Sequence, residues 1–396
     1  MLKVESLEAF VIDLPFRFAF KHSLASRNHS ENLIVKVRTT DGSKSYTGYG
    51  EGIPRDYVTG ESVQKSLLLL REIIFPLFKE RRLESKEHLL QMLEQEFLTL
   101  GFDVRPAGAA WCALELALLD AWGQFVGQSA VEFLGGPSQD HRNGCIRYGG
   151  VIPFAKERTV AGVLWFYKIF GFETIKLKVG RDDDSTVRLL RLARSILGPD
   201  VRLRIDVNCA WTAEQTLRMA EKMRPYRITS IEQPVPAEHW DDLASITAAL
   251  PEQVMVDESL CTIEQANLLA ERRICSAFNI RLSKVGGIIA ATKIVKIAKR
   301  AKLAVQLGAQ VGESGILSAA GRAFALINEA FENYEGSNNF FLLKKDITLE
   351  NLNVGFRGFG KALTNPGLGV KVQEQRVQNM SRLPEANSEE FVVSNR

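Results

Sequence analysis

Hydrophobic and polar positions fall into two textures along the chain. Through residue 65, apolar positions alternate or run for strand lengths, as in Leu7-Glu8-Ala9-Phe10-Val11-Ile12 and Asn32-Leu33-Ile34-Val35-Lys36-Val37-Arg38, the pattern of half-buried strands. Asp41-Gly42 marks a hairpin turn into a third strand through Thr47-Gly48-Tyr49-Gly50-Glu51, completing an antiparallel meander. From 61 to 135 the spacing turns helical. One helix is expected over 66–74. Another is expected over 109–125, with small residues on one face and Leu114, Leu118 and Trp122 spaced for packing. Strands followed by helices predict an α+β domain over 1–137.

From Tyr148 the pattern becomes a beat. Short β-rich runs recur at 147–151, 174–178, 202–207, 230–232, 254–257, 278–280, 303–307 and 333–335, with helical stretches such as 185–196, 212–223 and 290–302 between them. Strict alternation of this kind predicts an α/β fold, a (β/α)8-type (modified TIM) barrel over 138–344, with the N-terminal α+β part as its capping domain. A doubly wound open sheet is disfavoured, because no Gly-x-Gly-x-x-Gly follows a first strand. Residues 345–375 are expected to return to the cap, and 376–396 to form a polar tail.

Composition narrows the function. The chain has 396 residues, 45% hydrophobic and 24% charged, with a formal net charge of +3. That balance gives no electrostatic footprint for nucleic acid. No apolar run is long enough for a membrane helix. The first residues carry no signal-peptide core, so a cytoplasmic protein is expected. The five cysteines are odd in number and contain no Cys-x-x-Cys pair, indicating neither a zinc site nor a disulfide framework.

In a barrel of this kind, catalytic groups sit at the C-terminal ends of the strands. Lys178, Asp206, Glu232, Asp257 and Lys284 fall at the ends of consecutive strands, 28, 26, 25 and 27 residues apart, each interval one β/α unit. Three carboxylates at one mouth repel each other, and a hard divalent cation relieves that strain. All-oxygen ligands suit Mg²⁺, with Mn²⁺ as a substitute. A small-molecule carboxylate could complete the coordination, and the metal would stabilise the charge formed when its α-proton leaves. Lys176 lies two residues from Lys178 on the same strand face. Its charge should depress the Lys178 pKa and make that lysine a base, with Lys284 facing it across the substrate.

These residues resemble the enolase superfamily and, within it, the muconate-lactonizing-enzyme subgroup. The similarity rests on Lys176-x-Lys178, Asp206-x-Asn208, Glu232-Gln233-Pro234, Asp257-Glu258 and the run from Asn279 through Lys284 to Gly286-Gly287. It covers essentially residues 1–375. The resemblance implies Asp206, Glu232 and Asp257 as metal ligands and Lys178 and Lys284 as acid–base groups beside Lys176. Asn208 and Glu258 would support the ligands. Gln310 to Gly315, with Glu313, resembles the loop that holds the substrate carboxylate, and Glu335 ends the eighth strand near it. Gly48 to Gly52 and Thr59-Gly60-Glu61 resemble segments edging the active site. Arg27 and His22, on a loop over 17–30 expected to act as a mobile lid, and Arg55 and Tyr57, are candidates to read the distal end of the substrate. The absence of histidine after His239 disfavours the mandelate-racemase subgroup, which uses a histidine base on the seventh strand.

The resemblance implies a Mg²⁺-dependent isomerase or lyase, nominally a cycloisomerase of the muconate type. N-acylamino acid racemisation and elimination to o-succinylbenzoate share the same lysines and metal. Dipeptide epimerases carry Asp-x-Asp at strand eight, where this chain has Tyr334-Glu335-Gly336, so that reaction is disfavoured. A homo-oligomer is expected. A non-catalytic barrel scaffold is the reading of a different class; loss of a charged strand-end position would have favoured it, and none is lost.

Overall fold

The computed structural model describes residues 1–21, 26–136, 145–180, 182–328, 331–337 and 339–382. His22 and the tail beyond 382 lie outside them. Two sheets organise the chain. The first is antiparallel, in the order β3-β2-β1-β4, from Leu2–Lys21 (β1), Ser26–Thr40 (β2), Ser45–Gly52 (β3) and Arg82–Leu83 (β4). β1 and β2 are much longer than their apolar runs suggest. They continue as a hairpin whose arms still pair at Phe20–Arg27 and Lys21–Ser26. The lid loop expected over 17–30 is therefore mostly strand, and Arg27 stands on β2. Backbone pairing carried the strands past the point where side-chain alternation stopped signalling them.

β3 reads Gly48-Tyr49-Gly50-Glu51-Gly52 because a helix lies directly on it. Helix α1 (Gly108–Val126) places its alanine face against the glycines. A Cβ on Gly48, Gly50 or Gly52 would come within 2.0 Å of the carbonyl oxygens of Ala117, Ala113 and Ala109, so only glycine permits that approach. Asp120 and Glu61 fasten the helix: Asp120 accepts from the Tyr49 and Leu368 amides, and Glu61 from the Ala109 amide.

A short strand, Cys145–Arg147 (β5), pairs antiparallel with Phe359–Lys361. The eight-stranded parallel sheet then begins. Its strands are Gly150–Ile152 (β6), Thr174–Lys178 (β7), Arg202–Asp206 (β8), Ile228–Glu232 (β9), Gln253–Val256 (β10), Ala277–Ile280 (β11), Ala304–Leu307 (β12) and Asn333–Tyr334 (β13), each bonded to the next in chain order. The run expected as one strand over 147–151 is broken at Tyr148-Gly149, where the Tyr148 amide donates to Gly358 instead. The Gly149 amide donates to the Tyr334 carbonyl at 2.8 Å, joining the first unit to the last. After β6 comes helix α2 (Glu157–Ile169), and after the turn bearing Lys284 comes α3 (Gly287–Ala301). Among the described residues, β13 is followed by a short helix, Asn339–Leu342, and then irregular chain.

The apolar interior is divided. One cluster joins the antiparallel sheet and α1 to the later barrel strands, including Val254, Phe278, Ile280, Val305 and Leu307. A second holds Ile152, Leu177, Ile205 and Ile231 from the first four barrel strands with the helices over them. No helix among the described residues is long and apolar enough to cross a membrane.

Candidate active site

The period of two along a strand puts alternate residues on one face. Lys176 with Lys178, Arg204 with Asp206, and Ser230 with Glu232 are such pairs. The parallel register then sets Lys178 beside Asp206 and Asp206 beside Glu232. Asp257 follows β10 directly. All these side chains are nearly or fully buried, so their charges are settled by one another. Lys178 Nζ donates to Asp206 Oδ2 and Asn208 Oδ1, both at 2.7 Å. Lys176 Nζ lies 3.0 Å from Glu232 and 2.7 Å from Glu335, with Asp206 at 3.6 Å. Arg204 pairs with Glu335 at 3.1 Å. Arg281 bonds Asp257. Lys284 Nζ donates to the Asp257 carbonyl at 2.5 Å, its carboxylate at 2.7 Å and the Asn279 carbonyl at 3.1 Å.

Burial opposes the Lys176 ammonium, but Glu232, Glu335 and Asp206 outweigh it and hold its pKa above the ordinary lysine value. Burial likewise opposes the Asp206 carboxylate, and Lys178 and Lys176 outweigh that, keeping it below the usual range. Lys284 moves the other way: burial dominates and lowers its pKa. Glu258 is raised, by burial first and then by the charge of Asp206. Glu313 is pushed up to about 8 by burial, with the Gln310 amide as its donor.

A cavity of about 610 Å³ opens above this network. Lys176, Lys178, Asn208, Glu258, Arg281, Glu313 and Glu335 line it, with Phe18, Phe20 and Tyr57 on the side of the antiparallel sheet. Several expectations differ from this geometry. The nearest charge to Lys178 is Asp206 rather than Lys176. Lys284 does not line the cavity, because Asp257 and the Asn279 carbonyl hold its ammonium. Arg27 is not a lining residue either; its guanidinium sits 5.5 Å from the centre of the Tyr57 ring. Arg55 is buried and bonds Ser30 and the Val311 carbonyl, bracing the loop from outside. Gly48, Gly50, Gly52 and Glu61 also stay off the cavity and pack or bond against α1. Glu51 reaches across to accept from the Ser314 and Leu317 amides and the Ser314 hydroxyl, fixing the Gln310–Gly315 loop.

Asn208 and Gln233, just past two strand ends, adopt φ of 45° and 37°, a left-handed turn that aims each side chain back at the site. Gln233 accepts from the Asp257 amide at 2.9 Å and donates to Ser259. Sequence reasoning gave no role to Arg281, Arg204 or Gln306, which bonds Arg204. Arg204 was findable, standing two before Asp206 on its face.

Asp206, Glu232 and Asp257 form an all-oxygen donor set of the kind a hard divalent cation takes. Among the described residues, Glu258 Oε2 beside them is buried without a hydrogen-bond partner, an acceptor able to take a cation or donor. Among the described residues, no three acidic, histidine or cysteine side chains yet converge closely enough to hold an ion. Lysine and arginine occupy the carboxylates in this arrangement. The residues fit a metal in type, and binding requires those cations to give way.

The profile of the family described as Enolase C-terminal domain-like matches residues 163–376. N-succinyl-L-Arg/Lys racemase of Bacillus cereus is 28% identical over 96% of this chain and 98% of its own length. Muconate cycloisomerase 1 of Rhodococcus opacus is 26% identical over 96% and 99%. Among solved structures, a dipeptide epimerase from Cytophaga hutchinsonii, complexed with Mg and the dipeptide D-Ala-L-Val, superposes with a TM-score of 0.84 at 26% identity, covering 96% of this chain and 99% of that one.

Proposed function

The chain belongs to the enolase superfamily through its Enolase C-terminal domain-like region, and on that premise we propose that it is an isomerase that removes the proton next to a substrate carboxylate, with Lys178 as the base. The observation carrying this reading is the placement of Lys178 Nζ on the cavity, held at 2.7 Å by both Asp206 and Asn208. The Asn208 carbonyl oxygen accepts from an amine as well as from an ammonium, so it aims Nζ in either state.

Lys176 takes a different part. Glu232, Glu335 and Asp206 hold its proton against burial, and the pair with Glu335, which is not an expected metal ligand, survives when an ion takes the other two. It therefore acts as a cation that draws the substrate carboxylate in and opposes the negative charge of the enolate. Arg281, also on the cavity, adds to that field. Arg204 and Glu335 hold Lys176 in place. Asp206, Glu232 and Asp257 would hold Mg²⁺ or Mn²⁺, with Glu258 beside them. A bound ion supplies further positive charge against the developing anion. Glu335 is committed to Lys176 and Arg204, which leaves it poorly placed to receive a dipeptide ammonium.

Cycloisomerisation of the muconate type and elimination to o-succinylbenzoate need one base and agree with a cavity lined by Lys178 and not by Lys284. Racemisation, as of an N-acylamino acid, needs a second base. The position of Lys284 after β11, four strands across the sheet from Lys178, favours it as that base once it leaves Asp257.

A panel of carboxylic acids incubated with the protein and Mg²⁺ in D₂O, read by mass for deuterium, tests the reading. Lys178→Ala is expected to cut exchange about 10²- to 10⁴-fold. No exchange by the unmodified protein on any acid, or undiminished exchange by Lys178→Ala, refutes it. Retention of exchange on one enantiomer by each single lysine variant establishes two bases. Full exchange and turnover by Lys284→Ala establishes one.

A further inference from the structure

The cavity does not stop at the charged strand ends. It continues past the first barrel strand and along α2, where Pro153, Phe154, Val163, Phe166, Phe172 and Phe341 line it. Among the described residues, no charged side chain lines this arm. The hydroxyl of Tyr167, which also lines it, is already paired with the Val151 backbone at 3.0 and 3.2 Å.

Three local features shape the space. Among the described residues no long helix follows β13, and Phe166 of α2 meets Phe341 of the four-residue helix Asn339–Leu342, ring centres 5.9 Å apart. Gly150 on β6 lets Tyr167 lie against the strand; a Cβ there would come within 2.7 Å of that ring. On α2, Gly162 lines the arm, and a Cβ there would meet nothing within 4 Å. Gly162 is exposed, so even an added methyl would leave the arm open there.

We propose that this arm binds a bulky apolar group of the substrate, an aryl or alkyl moiety joined to the carbon skeleton of the carboxylate that is held at Lys176 and Lys178. The proposal rests on the reading of the charged end as a carboxylate site. A pocket with convergent polar groups at one end and an apolar body is the usual form of a small-molecule site. A cationic distal group would find no counter-charge in the arm, since Glu258, Glu313 and Glu335 all stand at the strand ends.

Calorimetric titration with ω-phenylalkanoates, from phenylacetate to 6-phenylhexanoate, in the presence of Mg²⁺, tests the arm without requiring turnover. Affinity is expected to rise about three- to fourfold per added methylene until the arm is full. Gly162→Phe and Val163→Trp, each checked for an unchanged circular dichroism spectrum, are expected to flatten the series while leaving phenylacetate affinity unaltered. Gly162→Ala keeps the rise. A flat series in the unmodified protein, or a rise that persists in both filled variants, overturns the proposal. Absence of deuterium exchange on every acid alongside a normal length series would refute the proton-transfer reading and leave the arm standing.

Discussion

The first four barrel strands and the last four share one backbone plan but are stabilised differently. The later half is fused to the antiparallel sheet through α1 in one continuous apolar cluster. The earlier half keeps its own core between strands and helices, and the apolar arm opens beside it. The two lysines divide the same way. Lys178 belongs to the earlier half and is set by an ion pair and an amide. Lys284 belongs to the later half, wholly buried, under α1: a Cβ on Gly108 would come within 2.3 Å of the Lys284 carbonyl oxygen. Burial lowers the pKa of Lys284 while carboxylates raise that of Lys176. One residue type, placed in two environments, is thereby given opposite preferences for its proton.

The metal is the sharpest test of that division, because its expected ligands straddle it: Asp206 and Glu232 come from the earlier half and Asp257 from the later. Mg²⁺ at a hundredfold excess over its Kd should stabilise the fold by about 2.7 kcal/mol, seen as a rise in Tm. Asp206→Asn should require more than about tenfold more Mg²⁺ for the same rise. An equal response in both proteins would show that the halves are not bridged there.

Fusion of the later half to the antiparallel sheet depends on glycine. Gly50→Ala should cost about 1–3 kcal/mol through overpacking, measured by denaturant unfolding. Gly42→Ala, where a Cβ would meet nothing within 4 Å but φ is 95°, should cost about 1 kcal/mol through backbone strain alone. If the two cost the same, α1 does not lie as close to β3 as described.

The smallest effect concerns Glu115, which leaves α1 to accept from the Ile288 and Ile289 amides at the start of α3. Burial raises its pKa to about 8 from 4.5. The folded state therefore holds this proton longer than the unfolded chain does. Its contribution is full below about pH 4.5 and is lost as pH rises toward 8. Glu115→Gln, which keeps an acceptor but cannot ionise, should change stability at pH 5 by less than about 1 kcal/mol. It should also lessen the fall in Tm between pH 5 and 8. An unchanged pH dependence would mean that Glu115 is not ionising in that range.

The barrel was legible in the sequence because each β/α unit repeats the same signal, and the charged strand ends fell on that repeat. Period-two logic brought Lys176, Lys178, Asp206 and Glu232 to one face without tertiary information. What was not legible depends on partners distant in the chain. Gly48, Gly50 and Gly52 resemble an active-site edge in one dimension, and only the helix laid across them shows that they are packing residues. Arg281 and Lys284 were both in the quoted motif, yet nothing local says that they turn onto Asp257. The apolar arm left no motif at all, since its walls come from one helix, one strand end and a segment nearly two hundred residues later.

Each barrel strand bonds the strand next in sequence, so the barrel can grow in the order in which it is synthesised. β1 cannot be finished that way. The Pro15 carbonyl accepts from Lys344 and the Val11 carbonyl from Arg382, while Ile12 and Phe16 bridge to Ser381 and Leu343. β1 thus waits for the segments around Lys344 and Arg382, synthesised long after it, before its free edge is covered. During that interval it exposes unpaired backbone beside apolar side chains, the condition in which strands find wrong partners. Removal of the chain after residue 342 would leave that edge permanently open, and the price would appear first as aggregation of the nascent protein.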